Sequence, residues 1–398
     1  MTHAGDAVAR LVRDEGTRVL ATLVRVTGSV DLAEDAVQDA VVRALETWPR
    51  DGVPDNPRGW LLVAARRRAV DVVRREAKRL GKEADAMPAF DPFPDPVSVR
   101  DDLLRLVFTC CHPALSLDAQ VALALRTLGG LSTLEVARAL LVPEATMAKR
   151  LTRAKQKIAT AHIPYRVPSS EELPSRLAGV ASTVYLIFNE GYTGRESLLV
   201  EGVRLARLLA SLMPDEPTAL GLLALVLLQD ARRAARFSSG EPVLLADQDR
   251  SAWDFALIKE GVELVGTGLR RTPSTPNAYV VQAAIAACHD LSPSYSETNW
   301  DAVISWYDVL LSIQDTPVVR LNRAAAVAER DGPAAGLALV DALPGLDDYP
   351  WWHASRAELL HRLGSPAAFE ALERAVETGL PGPHATRLRA RVNSPSSR

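Results

Sequence analysis

Residues 131–157 read LSTLEVARALLVPEATMAKRLTRAKQK, and this stretch decides how the rest of the chain is understood. Ser132 stands three residues before Glu135, the spacing of a capping box in which each side chain satisfies a backbone amide of the other residue. Leu134, Val136, Ala137, Leu140 and Leu141 follow as an apolar face at helical spacing. Pro143 places a turn at 141–143, because proline is tolerated only in the first turn of the helix that follows. In that second helix Met147, Leu151, Ala154 and Ile158 keep one apolar stripe. Lys149, Arg150, Arg153, Lys155 and Lys157 put five cations on the remaining surface, with no acid among them. A capped helix, a turn and a cationic helix describe a helix-turn-helix whose second helix can enter a major groove. The same pattern also suits an ordinary helical hairpin with a solvated basic face.

The chain has 398 residues, 47% hydrophobic and 24% charged, which is globular composition with room for two or three domains. Alternating β-branched runs are scarce, so the class is all-α. Three cysteines without a secretory leader imply no disulfide framework. The longest strongly apolar run, 219–228, is too short to cross a bilayer. A soluble, cytoplasmic protein with no membrane partner is therefore expected. The net charge of −3 hides a division: residues 1–167 carry 25 Lys+Arg against 21 Asp+Glu, and residues 168–398 carry 21 against 28. A basic N-terminal part beside an acidic C-terminal part suits contact with nucleic acid that the acidic part can oppose.

Residues 5–27 predict an amphipathic helix burying Val8, Leu11, Val12, Val19, Leu20, Leu23 and Val24. Asp31 opens the next helix, with Ala33, Val37, Ala40, Val41, Ala44 and Leu45 inside and Asp35, Gln38, Asp39, Arg43 and Glu46 mostly outside. Trp48-Pro49 ends it, and 50–57 is a loop. A third helix follows to about residue 80, and between Arg58 and Lys82 nine basic residues face two acids, Asp71 and Glu76. Such a helix beside a tryptophan-bearing loop offers phosphate contacts and a ring on which an unpaired base can stack. Core packing is the competing role for both tryptophans, and for Trp60 it is preferred. Four prolines in 83–98 mark a linker. Helices resume near Val99, where the apolar surface of Leu103, Leu106, Val107 and Phe108 exceeds what a small domain covers alone. A second linker falls at 165–175.

Three segments in order, DLAEDAVQDAVVRAL, RGWLLVAARRRAVDVVRR and LGGLSTLEVARALLVPEATMAKRLTRAKQKI, make the first 165 residues resemble regions 2 and 4 of extracytoplasmic-function sigma factors. The resemblance implies a non-enzymatic protein that binds core RNA polymerase, at the β′ clamp and β flap, and directs promoter-specific initiation. It implies region 2 at 1–82 and region 4 at 99–164. Asp35, Gln38 and Asp39 would seat on the β′ clamp. Trp48, Arg66, Arg67, Arg74, Arg75, Lys78 and Arg79 would melt and hold the −10 element. Glu144, Thr146, Lys149, Arg150, Arg153 and Lys155 would read the −35 element. The family commonly has T-V-K-S-R-L where this chain has Thr146-Met147-Ala148-Lys149-Arg150-Leu151, and the displaced lysine bears on which −35 sequence is read.

From 176 to 392 the pattern is helical with internal repetition. Residues 321–343 align with 354–376 at an offset of 33, close to the tetratricopeptide period, with Arg323/Arg356 and Ala324/Ala357 among the identities. Paired helices at 196–211 with 219–236, and at 277–287 with 300–313, extend the array. YLIFNEGY (185–192), LLADQDRSAWD (244–254) and QAAIAACH (282–289) resemble the long extension of one sigma-factor subgroup. That resemblance implies a regulatory extension contacting the sigma domains in place of a separate anti-sigma factor.

Cys110-Cys111-His112 and Cys288-His289 lack C-x-x-C spacing, so neither metal nor cofactor is expected. Asn189-Glu190-Gly191-Tyr192 and Asp247-Gln248-Asp249-Arg250 offer no matched base and nucleophile, so they predict caps, turns and ion pairs rather than catalysis. Two rival functions remain on sequence alone: a free-standing helix-turn-helix regulator, and a repeat scaffold or hydrolase with an incidental basic hairpin.

Overall fold

Among the described residues nine α-helices precede residue 213. They are α1 (His3–Thr27), α2 (Val30–Asp51), α3 (Pro57–Arg79), α4 (Pro96–Cys110), α5 (Leu117–Leu123), α6 (Thr133–Ala139), α7 (Glu144–Thr160), α8 (Leu173–Tyr192) and α9 (Glu196–Leu212). Nine more follow: α10 (Pro217–Asp230), α11 (Phe255–Arg271), α12 (Ala278–Asp290), α13 (Trp300–Ile313), α14 (Pro317–Asp331), α15 (Pro333–Asp341), α16 (Pro350–Arg362), α17 (Ala367–Glu377) and α18 (Gly382–Val392). The computed structural model describes residues 3–79, 96–140, 142–161, 163–192, 196–238, 241–272 and 274–394. Among these the expected all-α class holds; the strands are a two-residue antiparallel pair, Phe237–Ser238 (β1) with Glu241–Pro242 (β2). The helices form two compact units, Met1–Leu212 and Met213–Arg398.

In the first unit α1, α2 and α3 pack on one another, and α4 lies against α1. Ser29, rather than Asp31, caps α2 by accepting from the Leu32 amide. Pro49 does not end that helix, which continues to Asp51. A proline removes one N–H late in a helix whose next residues still find partners, and the stop comes at Gly52, where φ is 85°. Val12 and Leu45 turn outward, 38% and 46% exposed, because each sits at the rim of a stripe already filled by its neighbours.

The capping box at Ser132 and Glu135 forms as expected, and it starts a helix of two turns. Val136, Ala137 and Ala139 are buried, whereas Leu134, in the first turn, is 38% exposed, and Leu141 lies outside the described residues. Pro143 precedes α7 as its N-cap, and Met147, Leu151 and Ala154 are its buried stripe.

Helix α5 runs into a single π-helical turn, Ala124–Leu128, in which the Gly129 amide donates to the Ala124 carbonyl. The Leu128 carbonyl is left free of the helical ladder and takes the Thr17 hydroxyl of α1 at 3.1 Å and the Arg204 guanidinium of α9.

The expected linkers behave differently. That at 83–98 lies outside the described residues up to Asp95, and α4 begins at Pro96. The second is tied down: the Tyr165 hydroxyl donates to the Ala21 and Asp102 carbonyls at 2.8 and 3.0 Å. Helices α8 and α9, read as the start of the extension, belong to the first unit. Arg176 donates to the Phe108 carbonyl at 2.6 Å, Thr183 to Gln120 at 3.1 Å, and Arg100 to the Leu212 carbonyl at 2.7 Å. Leu103, Leu106, Val107 and Phe108 are all buried there. Gly202 lets α9 approach α8 closely, since a Cβ at that position would sit 2.7 Å from the Phe188 backbone.

In the second unit the offset of 33 is structural. Helices α14 and α15 form one hairpin and α16 and α17 the next, and both repeat the same ion pair, Arg323–Asp308 at 2.6 Å and Arg356–Asp341 at 2.5 Å. Arg362 reaches back one period to Glu329 at 2.6 Å. Gly336 permits the tight α14–α15 crossing, where an added Cβ would meet the Ala328 Cβ at 2.3 Å. The 244–254 segment is a brace: Asp249 caps the Ser251 amide, and Arg250 donates to the His289 and Ser292 carbonyls at 2.9 and 2.7 Å. Helix α18 returns to this region through Arg387, which donates to the Pro242 carbonyl at 2.5 Å and pairs with Asp247 at 2.6 Å.

Candidate polymerase and nucleic-acid interface

Asp35, Gln38 and Asp39 are all exposed on α2, and Asp39 pairs with Arg68 of α3. Val42, 54% exposed, and Leu45 continue the same stripe at the three- and four-residue steps that share a helix face. Sequence reasoning placed Leu45 inside and passed over Val42. The signal was present, since two apolar residues flank Arg43 on the side opposite the alanines that pack inward. The stripe is acidic, amide-bearing and apolar at once, a composition unsuited to the phosphates of a nucleic acid.

The burial of the two tryptophans is the reverse of that expected. Trp48 is 3% exposed and meets Trp60 edge to face at 5.3 Å, so its ring is not available for stacking. Trp60 is half-buried and lines a surface pocket of about 370 Å³ with Arg43, Asn56, Val63 and Arg67. Helix α2 outlasts Pro49 and carries Trp48 inward, while the Asn56 cap of α3, accepting from Gly59 at 2.8 Å, sets Trp60 at the rim. Arg67 is exposed and Arg66 half-buried; Arg74, Arg75, Lys78 and Arg79 lie on α3 with side chains outside the described residues.

On α7, Thr146, Lys149 and Arg153 are exposed along the face opposite Met147, Leu151 and Ala154, and Glu144 is exposed in the first turn, on the side of the buried stripe. Arg150 is half-buried, with Asp118 at 3.7 Å. Lys155 points the other way. Its ammonium sits 2.8 Å from both Asp31 and Glu34 of α2 and is 15% exposed. Glu34 is buried, and its second oxygen accepts from Thr127 at 3.3 Å. Burial opposes the Lys155 charge, but Glu34 and Asp31 outweigh it and hold the group above the ordinary lysine range. In this arrangement Lys155 joins two helices and does not share the exposed face with Arg153. A second tie, the fully buried Asp102 between Arg25 and Arg105 at 2.9 Å each, joins α1 to α4.

Cys110 and Cys111 are buried, which pushes the Cys110 thiol well up and Cys111 to about 12. A thiol at that value is roughly 10⁻⁴ thiolate at pH 8, against about a quarter for a free one. Iodoacetamide at pH 8 should therefore leave both unmodified in the native protein and label all three cysteines in denaturant, as read by mass. Rapid native labelling of either would contradict the burial.

Among the described residues no group of three or more His, Cys, Asp or Glu is arranged to hold a metal, and no helix is long and apolar enough to cross a membrane.

Comparison with known proteins matches "Sigma-70 region 2" to residues 11–79, "Sigma-70, region 4" to 105–158, and "Family of unknown function (DUF6596)" to 176–268. The last match spans the division between the two units. A relative named "Uncharacterized protein R00370" from Rhizobium meliloti (strain 1021) is 40% identical over 394 residues, covering 94% of this chain and 93% of the relative. "ECF RNA polymerase sigma factor SigK" of Mycobacterium tuberculosis (strain ATCC 25618 / H37Rv) is 30% identical over 165 residues, 39% of this chain and 86% of the relative. The protein of that name from Mycobacterium sp. (strain KMS) is 32% identical over 155 residues, 37% of this chain and 78% of the relative. With region 2 on α1–α3, region 4 on α4–α7 and a long helical extension beyond them, the chain belongs to the extracytoplasmic-function family of RNA polymerase sigma factors, which direct transcription initiation.

Proposed function

We propose that each step of initiation uses a separate exposed face of the first unit. The α2 stripe of Asp35, Gln38, Val42 and Leu45 seats on the β′ clamp. The Trp60 pocket receives an unpaired base of the −10 element, with Arg43 and Arg67 on its phosphates. Glu144, Thr146, Lys149 and Arg153 of α7 meet the −35 element. The observation that carries this reading is the coincidence of these faces with solvent: each is exposed, and each has the chemistry of its partner. Aromatic stacking and cationic contact suit a melted strand, and a free-standing regulator of duplex DNA needs neither in that place.

The reading includes regulation. With Lys155 held by Asp31 and Glu34, α7 is fixed against the helix that docks polymerase, so this unit represents a resting form that polymerase must open. Control by the extension then begins at α8 and α9, which share the core of the first unit, and removing the extension abolishes regulated transcription.

Run-off transcription with purified core polymerase and full-length protein tests the assignment. Arg153→Ala is expected to weaken −35-dependent initiation by about 1–3 kcal/mol if it reads a base, or evenly across promoters with a shallower salt slope if it touches phosphate. Trp60→Ala is expected to weaken open-complex formation by about 1–3 kcal/mol while duplex −35 binding is kept. Unchanged initiation by both variants would remove these faces from the mechanism.

A further inference from the structure

The second unit has a chamber of about 680 Å³, open to solvent on one side and within the range that holds a small organic ligand. Trp300 and Tyr307 of α13, Ala325 of α14, Trp351 of α16 and Leu388 of α18 give it an aromatic and apolar wall. Its charged groups gather on one side: Arg362, Arg387 and Arg391 line it with the carboxylates of Glu329 and Glu358, and Asn322, Ser355 and His384 add neutral polar groups. Arg362 pairs with Glu329 at 2.6 Å and Arg391 with Glu358 at 2.8 Å. A guanidinium has five N–H donors, and one carboxylate occupies at most two, so each arginine keeps donors for a second anion. The buried Nε of Arg387 donates to no protein atom. His289 adds a neutral imidazole, since burial, with Arg232 and Arg250 nearby, pushes its pKa down to about 4.

From this geometry we infer that the chamber is a binding site for one small organic anion with an aromatic or otherwise flat apolar body. The body lies between the Trp300 and Trp351 sides, and the carboxylate, sulfonate or phosphate meets the arginines of α16 and α18. Size favours a small molecule over a peptide. Arg387 joins α18 to the 242–247 loop, and both of those segments are walls of the chamber, so the concave face is pinned where an extended chain would have to leave. Each guanidinium already has one carboxylate partner, Glu329, Asp247 or Glu358, so what favours an anion is the unused N–H donors that converge on the lining and not an excess of positive charge. None of the residues involved takes part in the polymerase or DNA faces, so this inference stands or falls separately from them.

The test is a fluorescence titration of the full-length protein with anilinonaphthalene sulfonate, an aromatic anion that brightens in apolar sites, beside its uncharged relative phenylnaphthylamine. Saturable one-to-one binding is expected, at least about tenfold tighter for the sulfonate. Ala325→Trp should fill the chamber and weaken binding by about tenfold or more, with thermal unfolding unchanged because Ala325 is exposed to the chamber and not part of the core. Arg391→Gln should weaken the sulfonate and leave the uncharged dye unaffected. Naphthalene carboxylate should displace the dye. Wild-type affinity in Ala325→Trp, equal affinity for both dyes, or displacement only by an extended peptide would each overturn the assignment.

Discussion

A chain cut after Val167 is expected to lose its cooperative fold, while one cut after Leu212 is expected to keep it. The shorter cut follows the edge of region 4 and removes α8 and α9. Phe108 and Cys111 are buried beneath them, with the Arg176 guanidinium 5.9 Å from the Phe108 ring centre. Leu177, Val184, Ile187 and Phe188 supply buried side chains from α8. Uncovering one large apolar side chain costs about 1.5–3 kcal/mol, and a whole domain has only about 5–15 kcal/mol to lose. Urea unfolding of 1–167 should show no sharp transition and strong dye binding to exposed apolar surface, whereas 1–212 should unfold in one step. Equal cooperativity in the two fragments would mean that α8 and α9 are an appendage. Fragment 213–398, more acidic than the sigma half, should then be mixed with 1–212 across a salt series. An electrostatic association weakens as salt rises, and an apolar one does not.

Lys155→Met is expected to destabilise the first unit by about 3–5 kcal/mol, because the buried Glu34 carboxylate keeps only the Thr127 hydroxyl as a partner. For a unit of this size that is a fall in melting temperature on the order of 10 °C. Adding Glu34→Leu removes the stranded charge and should recover most of the loss, since replacing both members of a buried pair by apolar groups is often neutral. The sign with pH is also set. A lysine held above its ordinary value contributes stability that is fully present below about 10.5 and is lost only as pH rises through the higher folded value, so the tie is constant across neutral pH. A single variant with wild-type melting, or a double variant no better than the single, would show that Lys155 carries no such tie. In transcription the double variant should need less polymerase to reach half-maximal output, because α7 is no longer held on α2.

Much of this was legible in the sequence wherever structure is decided locally. The Ser132–Glu135 box, the Pro143 turn and the alternation of helix and turn in the repeats each depend on residues a few positions apart. Errors arose where a distant element supplied the deciding contact. Pro49 reads as a stop, but Gly52 is the actual one. Leu134 and Leu45 read as core, but helices that short or that flanked fill their inner face with alanine and valine. Tyr165 sits in a proline-rich stretch that reads as linker, and its hydroxyl finds two carbonyls more than sixty residues away. Lys155 is one basic residue in a basic helix, and only the approach of Glu34, 121 residues earlier, separates it from its neighbours. The repeat could have been read more deeply, since Asp308 and Asp341 share the offset of 33 with the arginines they pair with.

The Arg387 strap has a consequence for how the second unit unfolds. An array of helical hairpins whose repeats touch only their neighbours frays from its ends, and each repeat contributes its own stability. Here the last helix is fastened to a segment 140 residues earlier, so the C-terminal end cannot peel without breaking the fastening. The rest of the fold already holds the two segments together, so the fastening forms at little further entropic cost and lends the last repeats contacts beyond their own small cores. Amide exchange in α17 and α18 should therefore run at the pace of the interior helices, and Arg387→Ala should return those two helices alone to the fast exchange of an open terminus.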